Sequence, residues 1–224
     1  MPTYNQAEFL PAALDSIEAQ TFGNFELIVC DDGSTDRTST ILELHPCPSI
    51  IKTHDHNRGT AAAINSAAER ASGELMTWVS SDNTMELCWL ETLMVGMADD
   101  VGAVYSGYWR EAPGQRHEAI FQPYHPGLLV SNENCYIGPS FLIRAEVWRA
   151  AGPHTGGISH DYGHWLRIEE ECWRRDLRIV GIPEPLCHYR IHDGRATVTL
   201  KHLYDADGRR REALERRKQC VLLS

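Results

Sequence analysis

Two short acidic clusters follow apolar, strand-like runs, and they are the first side chains in this sequence that could do chemistry. Asp31-Asp32-Gly33 follows residues 25–30, and Ser80-Ser81-Asp82 follows residues 75–79. A carboxylate after a strand can bind a divalent metal through its oxygen atoms, and that metal could hold the phosphates of a nucleotide. Asp82 is such a group, whereas Asp32 could accept a hydrogen bond from a base N–H or a ribose hydroxyl. The alternatives are that Asp82 only caps the next helix and that Asp32 belongs to an ordinary turn.

Asp161 is the third candidate, because it begins a helical pattern over residues 161–174. A carboxylate in that place could act as a general base on a hydroxyl group within hydrogen-bond reach. The alternative is an acid that only interacts with the positive end of the helix macrodipole. A phosphatase of the haloacid dehalogenase type is excluded, because Cys30 occupies the position of its nucleophilic aspartate.

Alternating strand and helix patterns must position these side chains. Strand-like runs at residues 25–30, 49–52, 75–79 and 101–105 alternate with helical patterns at residues 7–20, 60–71 and 87–94. This alternation predicts crossover units and a largely parallel sheet, in which ligands bind beyond the carboxyl ends of the strands. We therefore expect both acidic clusters at one rim of an α/β fold.

The second half of the chain is less regular. Residues 110–127 are rich in Pro, Gly and His and predict a loop, whereas residues 136–143 predict a strand and a turn. Residues 178–180 and 186–189 are typical of two final strands. No internal repeat or low-complexity linker interrupts the sequence, so one compact domain is the simplest interpretation.

Composition narrows the class of protein. A formal net charge of −10 over 224 residues argues against nucleic acid as a partner. The 7 cysteines form no CxxC pair, which favours free thiols in a reducing cytoplasm. The sequence shows no signal peptide, and no apolar run approaches the ~20 residues of a membrane helix. We expect a cytoplasmic protein.

Residues 205–224 form a basic tail that differs from the rest of the chain. It is dense in arginine and ends in Val221-Leu222-Leu223. One interpretation is an amphipathic helix on an anionic membrane surface, which would make the protein peripheral at the inner membrane face. The other is a solvated terminal helix that packs its leucines on the domain.

Six short blocks occur in order between residues 2 and 192. They are Pro2-Thr3-Tyr4-Asn5; Gln20-Thr21-Phe22 with residues 25–36; Asn57-Arg58-Gly59 with residues 63–65 and 71–74; residues 78–83; residues 159–167; and Pro183-Glu184-Pro185-Leu186 with Tyr189-Arg190-Ile191-His192. In this order and spacing the blocks resemble glycosyltransferase family 2, and the resemblance covers nearly the whole chain.

The resemblance implies a GT-A fold, an α/β architecture with a mostly parallel central sheet flanked by helices. It implies a single domain over residues 1–204, with a nucleotide-binding half at about 1–106 and an acceptor-binding half at about 107–204. The implied activity is inverting transfer of a sugar from a nucleotide-diphosphate donor to an acceptor hydroxyl, with Mn²⁺ or Mg²⁺ as cofactor. A UDP-sugar is the donor that the resemblance favours, and the acceptor would be a glycan, a lipid-linked molecule or a small molecule.

The resemblance also assigns roles to individual residues. Thr3, Tyr4 and Asp32 would hold the nucleobase, with Tyr4 stacking on it. Asp82 would bind the metal, and His192 would be a further metal or diphosphate contact. Asp161 would take the proton from the acceptor hydroxyl as its oxygen attacks the anomeric carbon. The remaining donor-binding residues would be Asn5, Arg58, Asn65 and Ser81.

Three positions depart from the family pattern. Ser80 stands where many relatives have an acid, so Asp82 is the only acid of that motif. His160 replaces the acid that usually precedes Asp161. Relatives carry an apolar strand before Pro-x-Tyr-Asn, whereas only Met1 precedes Pro2 here. We expect reduced stability or a strand supplied by a partner chain, and a homodimer is also compatible with the sequence.

Two other functions stay open at this point. The first is a catalytically lapsed subunit that keeps the nucleotide pocket but serves as a binding partner, a hypothesis that Ser80 and the missing first strand motivate. The second is a nucleotidyltransferase, which shares the sheet and the metal chemistry but would release pyrophosphate.

Overall fold

A computed structural model describes residues 1–115, 117–127, 129, 137–156 and 160–192, and the basic tail lies outside these ranges. Strands and helices alternate from β1 to α3, β4 and β5 then follow each other directly, and both strands and helices occur after β6. In chain order the elements are β1 (Pro2–Thr3), α1 (Leu10–Glu18), β2 (Ile28–Asp31), α2 (Thr38–Leu44), β3 (Ile50–Thr53), α3 (Thr60–Ala68), β4 (Leu75–Met76), β5 (Thr84–Met85), α4 (Trp89–Val95), β6 (Val101–Glu111), β7 (Glu118–Ile120), β8 (Phe141–Arg144), α5 (Ala145–Ala151), α6 (His160–Arg174) and β9 (Arg178–Arg190).

The first sheet contains β1, β2 and β3 in that order, and both pairings are parallel. The Met1 amine donates to the Ile28 carbonyl at 2.7 Å, and Asp32 N donates to the Thr3 carbonyl at 2.9 Å. Helix α1 buries Leu10, Leu14 and their neighbours at helical spacing against this region. The parallel arrangement predicted from the alternating pattern is therefore present in the first part of the chain.

The second sheet is mixed, with strand order β4-β8-β6-β9-β5 and β7 added to β6. Among the described strands of this sheet, β6 and β9 pair in parallel, and the other pairs are antiparallel. Antiparallel neighbours need no crossover helix, so the alternating pattern fades where these strands begin. Strand β7 lies inside residues 110–127, for which the sequence predicted a loop.

The end of the fold is one long strand rather than the two predicted ones. Strand β9 runs through Pro183 and Pro185, and its register against β6 shifts between Ser106 and Gly107. Proline cannot donate to a strand ladder, so it is tolerated where the pairing is already irregular. The prolines therefore distort β9 without ending it.

The close approach of α6 to β6 requires glycine at position 102. A Cβ atom on Gly102 would lie 2.5 Å from Cys172 Sγ and 3.2 Å from Leu177 Cβ. The register of β6 against β9 also shifts between Val101 and Ala103. Because Gly102 has no side chain, the strand and the helix can come into direct contact at this position.

We predict that Gly102→Ala destabilises the fold by about 1–3 kcal/mol, the usual cost of overpacking a dense core. Urea denaturation measures the change in the free energy of unfolding. Gly23→Ala is the matched control, because no atom lies within 4 Å of a Cβ at that position, and its effect should stay within about 0.5 kcal/mol. Equal midpoints for the two variants would contradict the packing described here.

Candidate functional site

Asp32 lies directly after β2, and its carboxylate accepts hydrogen bonds from the loop of residues 54–59. Its Oδ1 accepts hydrogen bonds from Arg58 N at 2.9 Å and from His54 Nδ1 at 2.6 Å, and its Oδ2 accepts one from Gly59 N at 2.7 Å. Gly59 has a φ of 90°, which a residue with a side chain rarely adopts. The buried carboxylate thus shapes the turn that presents the exposed Arg58 side chain. Its predicted contact with the nucleobase stays a prediction.

The segment after β1 and the turn after β2 are tied together by Asn5. The Asn5 Oδ1 accepts a hydrogen bond from Thr35 N at 2.8 Å, and Asn5 N donates to Ser34 Oγ at 2.9 Å. Asn5 has a φ of 51°, a left-handed conformation that asparagine tolerates better than most residues. The preceding residue, Tyr4, is 40% exposed at the surface. The ring is accessible for the stacking that the sequence predicted.

Thr3 contributes a buried hydroxyl to the same place. Its Oγ1 has no hydrogen-bond partner among the described residues, although the side chain is only 3% exposed. A buried hydroxyl without a partner is costly, so a bound ligand that accepts or donates there would relieve that cost. This observation fits a binding site beside Tyr4.

The structure brings Asp82 and His192 together, although they are 110 residues apart in the chain. His192 Nε2 lies 3.1 Å from Asp82 Oδ2, and the two side chains are 15% and 16% exposed. A carboxylate oxygen and an imidazole nitrogen at one point are ligand types that divalent metals accept. The sequence predicted both residues as metal contacts, and the short distance between them is compatible with that prediction.

Pairing between β5 and the end of β9 produces this contact. Thr84 pairs with His188, and Arg190 N donates to Asn83 Oδ1 at 3.1 Å, so the residues just before β5 meet those just after β9. Asp82 is therefore positioned by the start of β5 and not by the end of β4, as the sequence had suggested. Ser81, beside it, is buried.

Two residues beside this pair were missed by the sequence reasoning. The Phe9 ring lies 4.5 Å from the His192 ring, and the Arg190 guanidinium lies 5.0 Å from the centre of the Phe9 ring. Arg190 belongs to the same closing block as His192, and its charge was the available signal. Phe9 gave no such signal, because its ring meets His192 and Arg190 only when the residue before α1 is brought to the end of β9.

Asp161 stands in the first turn of α6 and is partly buried. Its Oδ1 accepts a hydrogen bond from Tyr162 N at 2.7 Å, which fixes the carboxyl group at the helix end. This geometry is compatible with the predicted general base and with a stabilising acid at a helix N-terminus.

Asn65 on α3 holds the chain ahead of α6. Its Nδ2 donates to the His154 carbonyl at 2.9 Å, and its Oδ1 accepts from His154 N at 2.9 Å. Both polar atoms of the Asn65 amide therefore bond the backbone of one residue, His154. Asn65 supports the segment that leads to Asp161, and its predicted contact with the donor stays a prediction.

Buried histidines lie behind the start of α6. The rings of His154 and His164 stack with centroids 4.0 Å apart, and His154 Nδ1 lies 3.0 Å from His160 Nδ1. Burial, together with the charges of Arg167 and His160, lowers the pKa of His164 to about 3. Burial is also the main reason why the pKa of His154 is strongly lowered. Both rings are therefore neutral in the folded protein at ordinary pH.

Trp78 connects this histidine stack with the loop that carries Asp82. Its ring lies 5.9 Å from the His160 ring and 6.5 Å from the His154 ring. Trp78 also precedes Ser80-Ser81-Asp82 in the chain. None of the helices in the described part of the chain has the length and apolar character needed to cross a bilayer.

The sequence matches the family described as "Glycosyl transferase family 2" over residues 1–150. A glycosyltransferase of Rickettsia typhi is 28% identical over 89% of this chain, and this chain spans 65% of its length. The Escherichia coli UDP-Glc:alpha-D-GlcNAc-diphosphoundecaprenol beta-1,3-glucosyltransferase WfgD is 32% identical over 48% of this chain and 44% of its own length. The chain thus covers less than two thirds of either relative.

Solved structures show the same fold. S. aureus TarS 1–349 in complex with UDP-GlcNAc superposes with a TM-score of 0.71 at 17% identity, over 91% of this chain and 60% of that protein. The mannosyltransferase PcManGT from Pyrobaculum calidifontis, in complex with GDP-Man and Mn²⁺, gives a TM-score of 0.67 at 21% identity, over 88% and 57% of the two chains. These structures are GT-A glycosyltransferases, and the fold predicted from the sequence is confirmed.

The neutral histidine stack gives a prediction about acid stability. The pKa of an unfolded histidine is ~6.5, whereas the pKa of His164 in the folded protein is about 3. Stability is therefore lost as pH falls through this window, by about 2 kcal/mol per histidine between pH 7 and pH 5. His164→Phe keeps an aromatic ring in the stack and should reduce the loss by about that amount, measured by urea denaturation at both pH values.

The control for this comparison is His56→Gln, which changes an exposed histidine. It should leave the difference in unfolding free energy between the two pH values as in the parent protein. If His164→Phe loses as much stability as the parent between pH 7 and pH 5, the ring at position 164 is not held neutral.

Proposed function

This chain belongs to glycosyl transferase family 2, and we propose that it transfers a sugar from a nucleotide-diphosphate donor to an acceptor hydroxyl with inversion at the anomeric carbon. The observation that carries the proposal is the meeting of Asp82 and His192 beside Arg190 and Phe9. A carboxylate, an imidazole and a guanidinium in one place are suited to a diphosphate and its metal.

The donor that we propose is a UDP-sugar. The exposed Tyr4 ring would stack on the base, and the adjacent residue, Thr3, offers a hydroxyl that has no partner among the described residues. Asn5 and Asp32 would shape the base and ribose site through the turns that they hold, and Arg58 extends from the loop fixed by Asp32. Asn65 and Ser81 complete the proposed donor-binding set. The complex of TarS with UDP-GlcNAc supports this nucleotide, whereas that of PcManGT with GDP-Man makes GDP the competitor to test.

We propose Mn²⁺ or Mg²⁺ as cofactor, held by Asp82 and His192. One carboxylate oxygen and one imidazole nitrogen fit Mn²⁺ better, because Mg²⁺ prefers oxygen ligands alone. When bound, the metal would neutralise charge that develops on the diphosphate leaving group. Asn83 and Arg190 keep the two ligand side chains together through their hydrogen bond at the junction of β5 and β9. The Mn²⁺ in the PcManGT structure supports the choice of metal.

Asp161 is the general base of the proposed reaction. Because Tyr162 N fixes Oδ1, we assign the proton of the acceptor hydroxyl to Oδ2. Removal of this proton makes the hydroxyl oxygen a better nucleophile. The oxygen attacks the anomeric carbon from the face opposite the diphosphate, the bond from that carbon to the diphosphate oxygen breaks, and the nucleoside diphosphate leaves with the electron pair. Attack from that face inverts the anomeric centre and needs a single base.

The acceptor that we propose is a glycan or a lipid-linked glycan, in a cytoplasmic setting. The name of WfgD, which describes a diphosphoundecaprenol-linked acceptor, supports this choice. The acceptor half would begin after about residue 106, where β6 continues into the β7 hairpin. Contact with the inner membrane face would fall to the basic tail, which lies outside the described residues.

Nucleotide binding is the first prediction of this function. Calorimetry should show that UDP binds in the presence of Mn²⁺. The affinity for UDP should fall by about tenfold or more in Asp82→Asn, which corresponds to about 1.4 kcal/mol. Asp99→Asn is the control, because it removes an exposed carboxylate from the turn before β6. Preference for GDP would change the donor, and absence of binding to UDP, GDP and dTDP would contradict the proposed donor site.

Catalysis by Asp161 is the second prediction. Asp161→Asn should lower kcat by about 100- to 10,000-fold, the usual contribution of a general base, with little change in the Kd for the donor. Glu146→Gln is the matched control, since Glu146 is also an acid in the first turn of a helix. If both variants lose stability but keep kcat, Asp161 only stabilises its helix. The kcat values of the parent and the two variants are compared through the initial rates at which the nucleoside diphosphate is released.

A further inference from the structure

His188 lies between two carboxylates on neighbouring elements. Its Nδ1 lies 2.6 Å from Glu111 Oε1, and its Nε2 lies 2.9 Å from Glu86 Oε1. A neutral imidazole has one N–H and can donate to only one carboxylate. Both contacts are therefore satisfied at once when the ring is an imidazolium that donates from each nitrogen.

The surroundings of His188 carry an excess of negative charge. Glu86 follows β5, and Glu111 ends β6 and also lies 3.2 Å from His117 Nδ1. The His188 side chain is 29% exposed, so water screens these charges only in part. Burial alone would lower the pKa of His188, but the hydrogen bonds and charges of Glu111 and Glu86 outweigh it and raise the pKa.

The neighbouring charged side chains on the elements around His188 contact other residues. Asp82, in the loop before β5, is paired with His192. On β6 and β7, Arg110 and Glu118 form an ion pair with each other. Arg190, two residues further along β9, lies over the Phe9 ring.

The contacts of His188 hold together the strands that carry the proposed site. Glu86 N donates to the Leu186 carbonyl at 3.0 Å, and Ile191 N donates to the Glu111 carbonyl at 2.7 Å. These bonds place β5 and the end of β6 on either side of β9. Asp82 comes shortly before β5, and His192 comes shortly after β9, so the separation of these strands sets the separation of Asp82 and His192.

We propose that His188 is a positioning residue, whose imidazolium ties Glu86 and Glu111 to β9 and thereby keeps Asp82 against His192. The inference rests on the proposed function for its consequence, which is binding of the metal and the diphosphate. When the ring loses its proton, one of the two carboxylates loses its donor and faces a lone pair. The junction of β5 and β9 then loosens, and affinity at the site falls.

The direction of the pH dependence follows from linkage. Because folding raises the pKa of His188, its contribution to stability is complete below the unfolded pKa of about 6.5. That contribution is lost as pH rises through the folded value. The site should therefore be formed below the folded value and weaken as the pH rises through it.

The first experiment follows the His188 ring in the whole chain by NMR during a pH titration. We expect a midpoint above the ordinary value of about 6.5. Glu86→Gln removes one charge while keeping the size of the side chain, so it should move the midpoint to lower pH. Glu43→Gln, at an exposed site on α2, should leave the midpoint unchanged. An ordinary midpoint in the parent chain overturns the proposal.

The second experiment measures Mn²⁺–UDP affinity at a pH between the two midpoints, where the parent carries the imidazolium and Glu86→Gln does not. We expect the Kd of the variant to be higher by about fivefold or more, the lower end of typical coupling between sites. At a lower pH, where both proteins carry the imidazolium, the two Kd values should be similar. Equal affinities at both pH values overturn the positioning role.

Failure of the proposed function can be told apart from failure of this inference. If neither protein binds Mn²⁺ with a nucleotide at any pH, the proposed function is wrong, and the ring resonances of His192 become the readout. If the His192 resonances of the parent and of Glu86→Gln differ only at a pH between the two His188 midpoints, the positioning role is supported. Identical His192 resonances at both pH values overturn it.

Discussion

The pairing of β5 with the end of β9 is the constraint on which the rest of the site depends. Strand β5 has only two residues, yet it sets where Asp82 stands relative to His192 and lets Asn83 accept from Arg190 N. A two-residue strand has little stability of its own, so side chains must secure it. The hydrogen bonds of His188 to Glu86 and Glu111 supply such a fastening from both sides of β9. The candidate metal site is therefore a property of strand assembly more than of any single motif.

The loops around the site follow a second rule, in which one polar side chain satisfies several backbone groups. Asp32 accepts from Arg58 N and Gly59 N, and Asn65 closes both ends of its amide on the His154 backbone. Buried polar groups are costly unless paired, so such a side chain fixes a loop wherever its partners can reach it. Asp32 and Asn65 are thus needed for the shape of the site, whether or not they also touch the donor.

The sequence was most informative where local pattern and tertiary structure agree. The turn at Asp31-Asp32 after a buried strand, and the helix that begins near Asp161, were both predicted correctly because hydrophobic periodicity and helix-start chemistry act over a few residues. The structure departs from prediction where distant pairing decides. Strand β7 and the unbroken β9 depend on their registers against β6, and no local signal at Pro183 or Pro185 reveals that the strand continues. Phe9 was missed for the same reason, since the ring meets His192 only after the whole chain has folded.

Histidine shows why residue type alone could not settle the chemistry of the site. His164 is buried among rings with Arg167 nearby, so its pKa is lowered to about 3, whereas His188 stands between two carboxylates that raise its pKa. The folded arrangement thus favours the neutral form of the first ring and the charged form of the second. Desolvation dominates at His164, whereas hydrogen bonds to two carboxylates and their charges outweigh it at His188. The motifs fix which histidines are present, but only the folded arrangement decides that one group acts as packing and the other as a charged link between strands.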